Sequence, residues 1–273
     1  MAYRFAPAAM RVAIAAALAV SVPAQASIVL DNTRVVYHAP DAEATVRLTN
    51  GGSQPALAQV WIDAGDAAAS PAAIDVPFVV TPPIARIDPG KGQTLRIVYA
   101  GDPLPGDRES LFFLNVLEVP PRPTGDAAQG NLLYMAFRTR IKLFFRPAKL
   151  AGSAAEAPAH VTWRVARVDG RMALEATNPT PYHVTLVDIG LTNGDGADGG
   201  HRDDGRDDPR EPIGGMLAPG ESRRFPLDGA RPAPGTRVRF GAINDYGGTS
   251  YLSGSLSGSL SWTPSVDRSA AAD

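Results

Sequence analysis

The sequence predicts an all-β protein built from immunoglobulin-like sandwiches. Short runs rich in Val, Ile, Thr, Phe and Tyr recur along the chain, 25 Pro and 27 Gly punctuate them, and helix-forming patterns are scarce beyond the first thirty residues. At 273 residues and 44% apolar content the chain has room for one large domain or two of ordinary size. About seven strands fall in the roughly 120 residues after the N-terminal leader, the count of one immunoglobulin-like sandwich. The same grammar then repeats.

Residues 1–26 have the three parts of an export signal. Arg4 and Arg11 lie in a charged leader, Val12 to Val22 is apolar, and Ala24-Gln25-Ala26 is a small-residue cleavage site. The apolar run falls short of the roughly 20 residues a membrane span needs, so cleavage before Ser27 is expected rather than anchoring. Its loss removes two arginines and no acid, taking the formal net charge from −2 to −4. An acidic balance of this kind argues against nucleic acid as a partner. With no Cys, neither disulfides nor thiol chemistry contribute, and the stability of an exported chain must come from packing.

From Ser27 onward, Ile28 opens an apolar run and Asp31-Asn32 makes a polar corner. Strands are expected around Arg34 to Tyr37 and over Ala44 to Thr49, before a turn at Asn50-Gly51-Gly52. Ala56 to Asp63 places Val60 and Ile62 on one face and Trp61 on the other. Phe78 to Thr81 runs into Pro82-Pro83, which makes Thr81-Pro82 a candidate cis peptide. Asp88-Pro89-Gly90 reads as a turn and Gln93 to Tyr99 as a strand. Leu111 to Val119 is apolar throughout, as a buried strand would be, and Pro120-Pro121 stops it.

Pro147 to Pro158, rich in Ala, is the expected connection between domains. Strands then follow over Val161 to Val168, Met172 to Thr177, His183 to Leu191, near Met216, Ser222 to Leu227, Thr236 to Asn244 and Ser250 to Trp262. The last rests on the shared parity of Leu252, Leu256, Leu260 and Trp262. Residues 193–212, rich in Asp and Gly, interrupt the series, and 263–273 read as a disordered tail. The expected divisions are a leader at 1–26, a first sandwich at 27–147, a second at 148–262 and the tail.

Enzymatic and metal chemistry find little support. Gly194-Asp195-Gly196-Ala197-Asp198-Gly199 fits a dinucleotide pattern as text but lacks the strand and helix around it. The neighbouring aspartates lack the ordered spacing of a calcium loop. His38, His160, His183 and His201 lie on separate elements without zinc-like spacing, and no G-x-S-x-G elbow occurs. No cofactor is expected.

The informative stretch is Asn131 to Pro147, a predicted long strand. Leu133, Met135 and Phe137 fall on one face and Leu132, Tyr134 and Ala136 on the other, so its first half is apolar on both sides. Its second half interleaves Arg138, Arg140, Lys142 and Arg146 with Ile141, Leu143, Phe144 and Phe145. Arg34 and Lys142, both close to the junction between domains, would make a docking point for a carboxylate.

These residues resemble the periplasmic pilus chaperones of the PapD type. The resemblance rests on Thr33-Arg34-Val35-Val36-Tyr37, Thr81-Pro82-Pro83, Arg86 to Gly90, Arg96, Asp107-Arg108-Glu109-Ser110-Leu111-Phe112, Leu114-Asn115, Pro120-Pro121 and Ile141 to Pro147. In the second half it rests on Asn178 to Tyr182 and Ile243 to Gly248. It implies two immunoglobulin-like domains set as a boomerang, a periplasmic location, pilus subunits as partners and delivery to an outer-membrane usher. The strand from Asn131 to Arg146 would be lent to a subunit that lacks its own last strand. In that scheme Arg34 and Lys142 grip the subunit's C-terminal carboxylate, and Leu133, Met135 and Phe137 enter its groove. Arg96, Glu109 and Asp245 would form an inter-domain ion network.

Because Lys142 and Leu133 differ in parity, a bulge or strong twist is expected between them. The loop from Pro120 to Gly130 is of modest length, which resembles the subclass serving rod-type fimbriae. An exposed apolar edge invites a self-capping homo-oligomer in the free protein. The competing reading is a secreted β-sandwich adhesin or pilus structural component, and two complete sandwiches speak against it.

Overall fold

The computed structural model describes residues 27–121, 135–168, 171–193, 213–227 and 235–256. The leader, the tail, Leu133, the Pro120 to Gly130 loop beyond Pro121 and the Asp- and Gly-rich segment at 194–212 lie outside the described residues. The first domain comprises β1 (Ile28–Leu30), β2 (Arg34–His38), β3 (Ala44–Asn50), β4 (Ala56–Asp63), β5 (Phe78–Thr81), β6 (Ile84–Ile87), β7 (Gly92–Tyr99), β8 (Ser110–Val119) and β9 (Phe137–Arg146). They form two sheets, ordered β1-β3-β7-β5 and β2-β9-β8-β4-β6. β2 runs parallel to β9, whereas the other pairings in this domain are antiparallel.

Alternation explains how the sheets close on each other. Val46 and Leu48, Leu95 and Ile97, Val60 and Ile62, Leu114 and Val116, and Leu143 and Phe145 supply inward pairs from five strands to one core. Trp61, of the opposite parity, is only half-buried on the outer face. β6 was not predicted, since Pro82-Pro83 and Asp88-Pro89-Gly90 leave only four residues between turns; tertiary pairing with Ala56 to Gln59 makes it a strand. The Thr81-Pro82 peptide is cis.

The second domain comprises β10 (Thr162–Val168), β11 (Arg171–Thr177), β12 (Val184–Asn193), β13 (Gly215–Leu217), β14 (Ser222–Pro226), β15 (Thr236–Ile243) and β16 (Thr249–Ser255). Its sheets are β10-β11-β14 and β13-β12-β15-β16, around a core that includes Trp163, Leu174, Leu186, Leu217 and Phe240. Leu252 and Leu256 pack against that core as their shared parity requires, whereas Leu260 and Trp262 lie outside the described residues. Pro147 to Pro158 is less free than its composition suggested: Leu150 and Ala154 lie on the second core, Ala157 is buried, and the Tyr182 hydroxyl donates to the Gly152 carbonyl at 2.9 Å.

The domains repeat one corner. Asn50 and Asn178 are fully buried, and each ends a strand or follows one directly. Each backbone N–H donates across to Lys91 or Glu221 at 2.9 Å, and each carbonyl accepts from Gly90 or Gly220 at 2.8 Å. Their side-chain amides satisfy carbonyls of the adjoining loops, Gln54 and Ile87 in one case, Tyr182 and Ala218 in the other. Both glycines follow a proline and take positive φ, +68° and +76°, which a side chain would strain.

Leu143, fully buried, and Val79, 54% exposed, set the two limits of sensitivity. Leu143→Ala is expected to cost about 3 kcal/mol in urea unfolding, and Val79→Ala no more than about 0.5 kcal/mol.

Candidate functional site

β9 carries the site because its two faces do different work. Ile141, Leu143 and Phe145 enter the first core, while Arg138, Arg140, Lys142, Phe144 and Arg146, of the other parity, lie on the opposite face. Pairing with β8 runs unbroken from Ser110 opposite Phe145 to Glu118 opposite Phe137. The bulge expected between the apolar residues and Lys142 is therefore absent from Phe137 onward. Between Phe137 and Lys142 the two parities are explained by two faces, not by a slip of register.

The other edge of β9 is only partly covered. β2 pairs with it from Arg34 opposite Lys142 to His38 opposite Arg146. Along residues 137–141, β8 is the sole strand partner among the described residues, so one row of backbone groups has no ladder. Met135 and Phe137 accompany this stretch at 50% and 42% exposed. Phe137 has core-facing parity but lies beyond the end of the core.

Where β2 begins, two cations meet. Arg34 and Lys142 are direct partners in the parallel ladder, hence on one face. Burial pushes the Lys142 ammonium below its ordinary pKa, and the neighbouring Arg34 pushes it further. Burial also lowers Arg34, with Asp245 opposing. Arg34 donates through Nη1 to the Ile243 carbonyl at 3.2 Å, but its buried Nε has no hydrogen-bond partner among the described residues. No described carboxylate pairs with Lys142. Two adjacent, partly desolvated cations of this kind suit an anion with two acceptor oxygens.

The junction beside this pair is held by charge. Arg146 donates from Nε to Glu109 at 2.7 Å, and forks onto Asp245 with Nη1 and Nη2 at 2.7 and 2.9 Å. Burial opposes the charge on Arg146, but Asp245 and Glu109 outweigh it and hold the guanidinium firmly protonated. Glu109 also accepts from the His183 backbone N–H at 2.8 Å, and its own N–H donates to the Pro181 carbonyl at 2.9 Å. Phe144, 4% exposed, lies 5.4 Å from the His183 ring. A cavity of about 260 Å³ opens between the domains, lined by Arg34, Glu109, Arg146, Asp245, Tyr251 and Leu252 among others.

The network thus contains Glu109 and Asp245 but not Arg96. Arg96 has the parity opposite to buried Leu95 and Ile97, so it points out of the first domain and pairs with Glu43. Arg146 takes the expected role; its position next to Pro147, at the domain junction, was the available signal.

Sequence reading also missed a cluster at the other end of β9. Asp63, 1% exposed, accepts from Arg140 at 2.6 and 3.0 Å, from Asn115 at 2.7 Å and from the Gly65 N–H at 2.7 Å. Burial would raise its carboxyl; the Arg140, Asn115 and Gly65 hydrogen bonds override that and hold it at about 2. Arg138 grips Asn115 Oδ1, and Arg138 and Arg140 lie over the rings of Trp61 and Phe113 at 4.9 and 3.5 Å.

Residues 27–151 match the family model described as "Pili and flagellar-assembly chaperone, PapD N-terminal domain", and 156–253 match "Pili assembly chaperone PapD, C-terminal domain". The probable fimbrial chaperone YadV of Escherichia coli K12 is 44% identical over 227 residues, 82% of this chain and 87% of YadV. The YadV crystal structure aligns with a TM-score of 0.65 at 38% identity, covering 85% of this chain and all of that one. The chaperone protein FimB/FhaD of Bordetella pertussis is 44% identical over 249 residues, 90% and 93% of the two chains. A solved complex of the SafA pilin with the SafB chaperone of Salmonella enterica matches with a TM-score of 0.66 at 28% identity, over 86% of this chain and 98% of that one.

Removing Arg146 would strand Glu109, whose side chain is 2% exposed. Arg146→Met is expected to lower unfolding free energy by about 3 kcal/mol or more in a chemical melt. Because the Asp63 carboxyl lies at about 2 in the fold against 3.8 ordinarily, its contribution is present above 3.8 and is lost as pH falls toward 2. Acid titration of stability should show about 2 kcal/mol of this loss in the wild type and a correspondingly shallower fall in Asp63→Asn.

Proposed function

The chain belongs to the PapD family of pilus-assembly chaperones, and from that premise we propose that β9 is the strand it lends to pilus subunits, with Arg34 and Lys142 as the carboxylate anchor. The protein is a chaperone for pilus subunits, not an enzyme. The observation that carries the finer reading is the half-covered edge of β9, which ends at Arg34 and at Lys142, an ammonium with no described carboxylate partner. A subunit strand laid along residues 137–141 would occupy the place that β2 fills farther on. If it runs parallel to β9, as β2 does, its chain points toward Lys142 and its terminal carboxylate meets Arg34 and Lys142. Backbone hydrogen bonds then supply affinity, the anchor fixes register, and Met135, Phe137 and Leu133 choose the partner through alternate side chains.

Arg146, Glu109 and Asp245 would keep the two domains placed around this cleft. Residues 27–147 act in this reading as the domain that carries the strand, and 148–262 as its buttress. Export by the leader and work in the periplasm follow from the same premise, as does delivery to an outer-membrane usher. A self-capping oligomer would cover the open edge when no subunit is present.

Co-expression with a cognate pilus subunit tests the anchor. Arg34→Ala and Lys142→Met are each expected to abolish recovery of soluble subunit, and wild-type yields from both would sink the assignment. The Lys142 ammonium is held in an environment that disfavours it, so Lys142→Met is also expected to stabilise the free protein, by about 1 kcal/mol, while destroying binding. Met135→Glu should impair subunit binding with an unchanged thermal transition, because that side chain is half exposed; a collapsed transition would place it in the core.

A further inference from the structure

Glu118 is a buried acid without a cation partner among the described residues. It lies on the core-facing parity of β8 with Phe112, Leu114 and Val116, is 8% exposed, and forms no ion pair with any described residue. Its carboxylate accepts from the Ile28 N–H at 3.0 Å, from the Ser27 N–H at 3.1 Å and from the Ser27 hydroxyl. Three neutral donors satisfy its hydrogen bonding, and no cation among the described residues faces it, a costly arrangement for a buried carboxylate.

The sequence supplies the missing charge. Ala24-Gln25-Ala26 sets leader removal between Ala26 and Ser27, the residue whose nitrogen already touches Glu118. Hydrolysis there by a leader-cleaving peptidase breaks the C–N bond and adds water: a carboxylate stays on Ala26, and Ser27 takes a proton to become an ammonium. We propose that leader removal completes a buried ion pair between the Ser27 ammonium and the Glu118 carboxylate. The pair would join the two sheets, since β1 follows at once in one sheet and β8 lies in the other. It also sits at the root of the strand lent to subunits, because Glu118 is opposite Phe137. The chain would then gain its final rigidity at that root only after export.

The test uses the exported protein, Glu118 or Glu118→Gln, with its Ser27 amine free or selectively acetylated. Acetylation keeps an N–H and removes the charge, reproducing the amide of the precursor. In the wild type it is expected to lower Tm by about 4 °C or more, and in Glu118→Gln by less than about 1 °C. An equal shift in both backgrounds, or none in the wild type, overturns the proposal. Should Glu118→Gln not fold, Glu118→Asp replaces it, with at most half of the wild-type gap expected; a full gap overturns the idea. The proposal rests on export and cleavage at Ser27, which N-terminal sequencing checks separately. Another start defeats that premise, whereas a Ser27 start without the Tm gap defeats the ion pair alone.

Discussion

The Arg146 guanidinium bridges the two domains. Arg146 ends β9, the last strand of the first domain, and reaches both Glu109 on that domain and Asp245 on the second, 99 residues away. Its planar fork can hold Asp245 with two parallel bonds while Nε still serves Glu109, which a lysine could not do. Glu109 in turn accepts from His183 across the junction. Beside this link lie the Arg34 contact to Ile243, the packing of Phe144 near His183, and the cation pair at the start of β2.

β9 divides core packing and an open edge between different parts of one strand. Its core-facing residues from Ile141 onward anchor it, and at its other end the Asp63 cluster fixes the outer face through Arg138 and Arg140. Between them the strand keeps an edge without a ladder partner and a cation without a counter-ion. Both cost stability in the free protein, and in the proposed reading a bound strand ending in a carboxylate would offset both. Functional sites often keep such unfavourable features because the surrounding structure over-determines them. Here the surroundings are two ion clusters, one at each end.

Much of the architecture was legible from alternation. Val60 and Ile62 against Trp61, and Leu252 in phase with Leu256, were assigned to the right faces because side-chain period in a strand is a local property. β6 was not legible, since four residues between turns become a strand only when β4 lies beside them. Arg96 was assigned to the network by family pattern, although its parity turns it toward Glu43. Asp63 read as the end of a strand, and its clamp draws on Asn115 and Arg140, 52 and 77 residues away.

The sequence by itself determined the fold class, the strand faces and the absence of thiol chemistry. These follow from composition and from short-range periodicity, which do not need the rest of the chain. Only the tertiary structure decided which arginine bridges the domains, that β9 runs without a bulge, that its edge is open over residues 137–141, and that Glu118 faces Ser27. Each of those depends on which charges and edges meet across long separations. Electrostatic partners are chosen by position in space and by burial, and neither is written in the neighbouring residues.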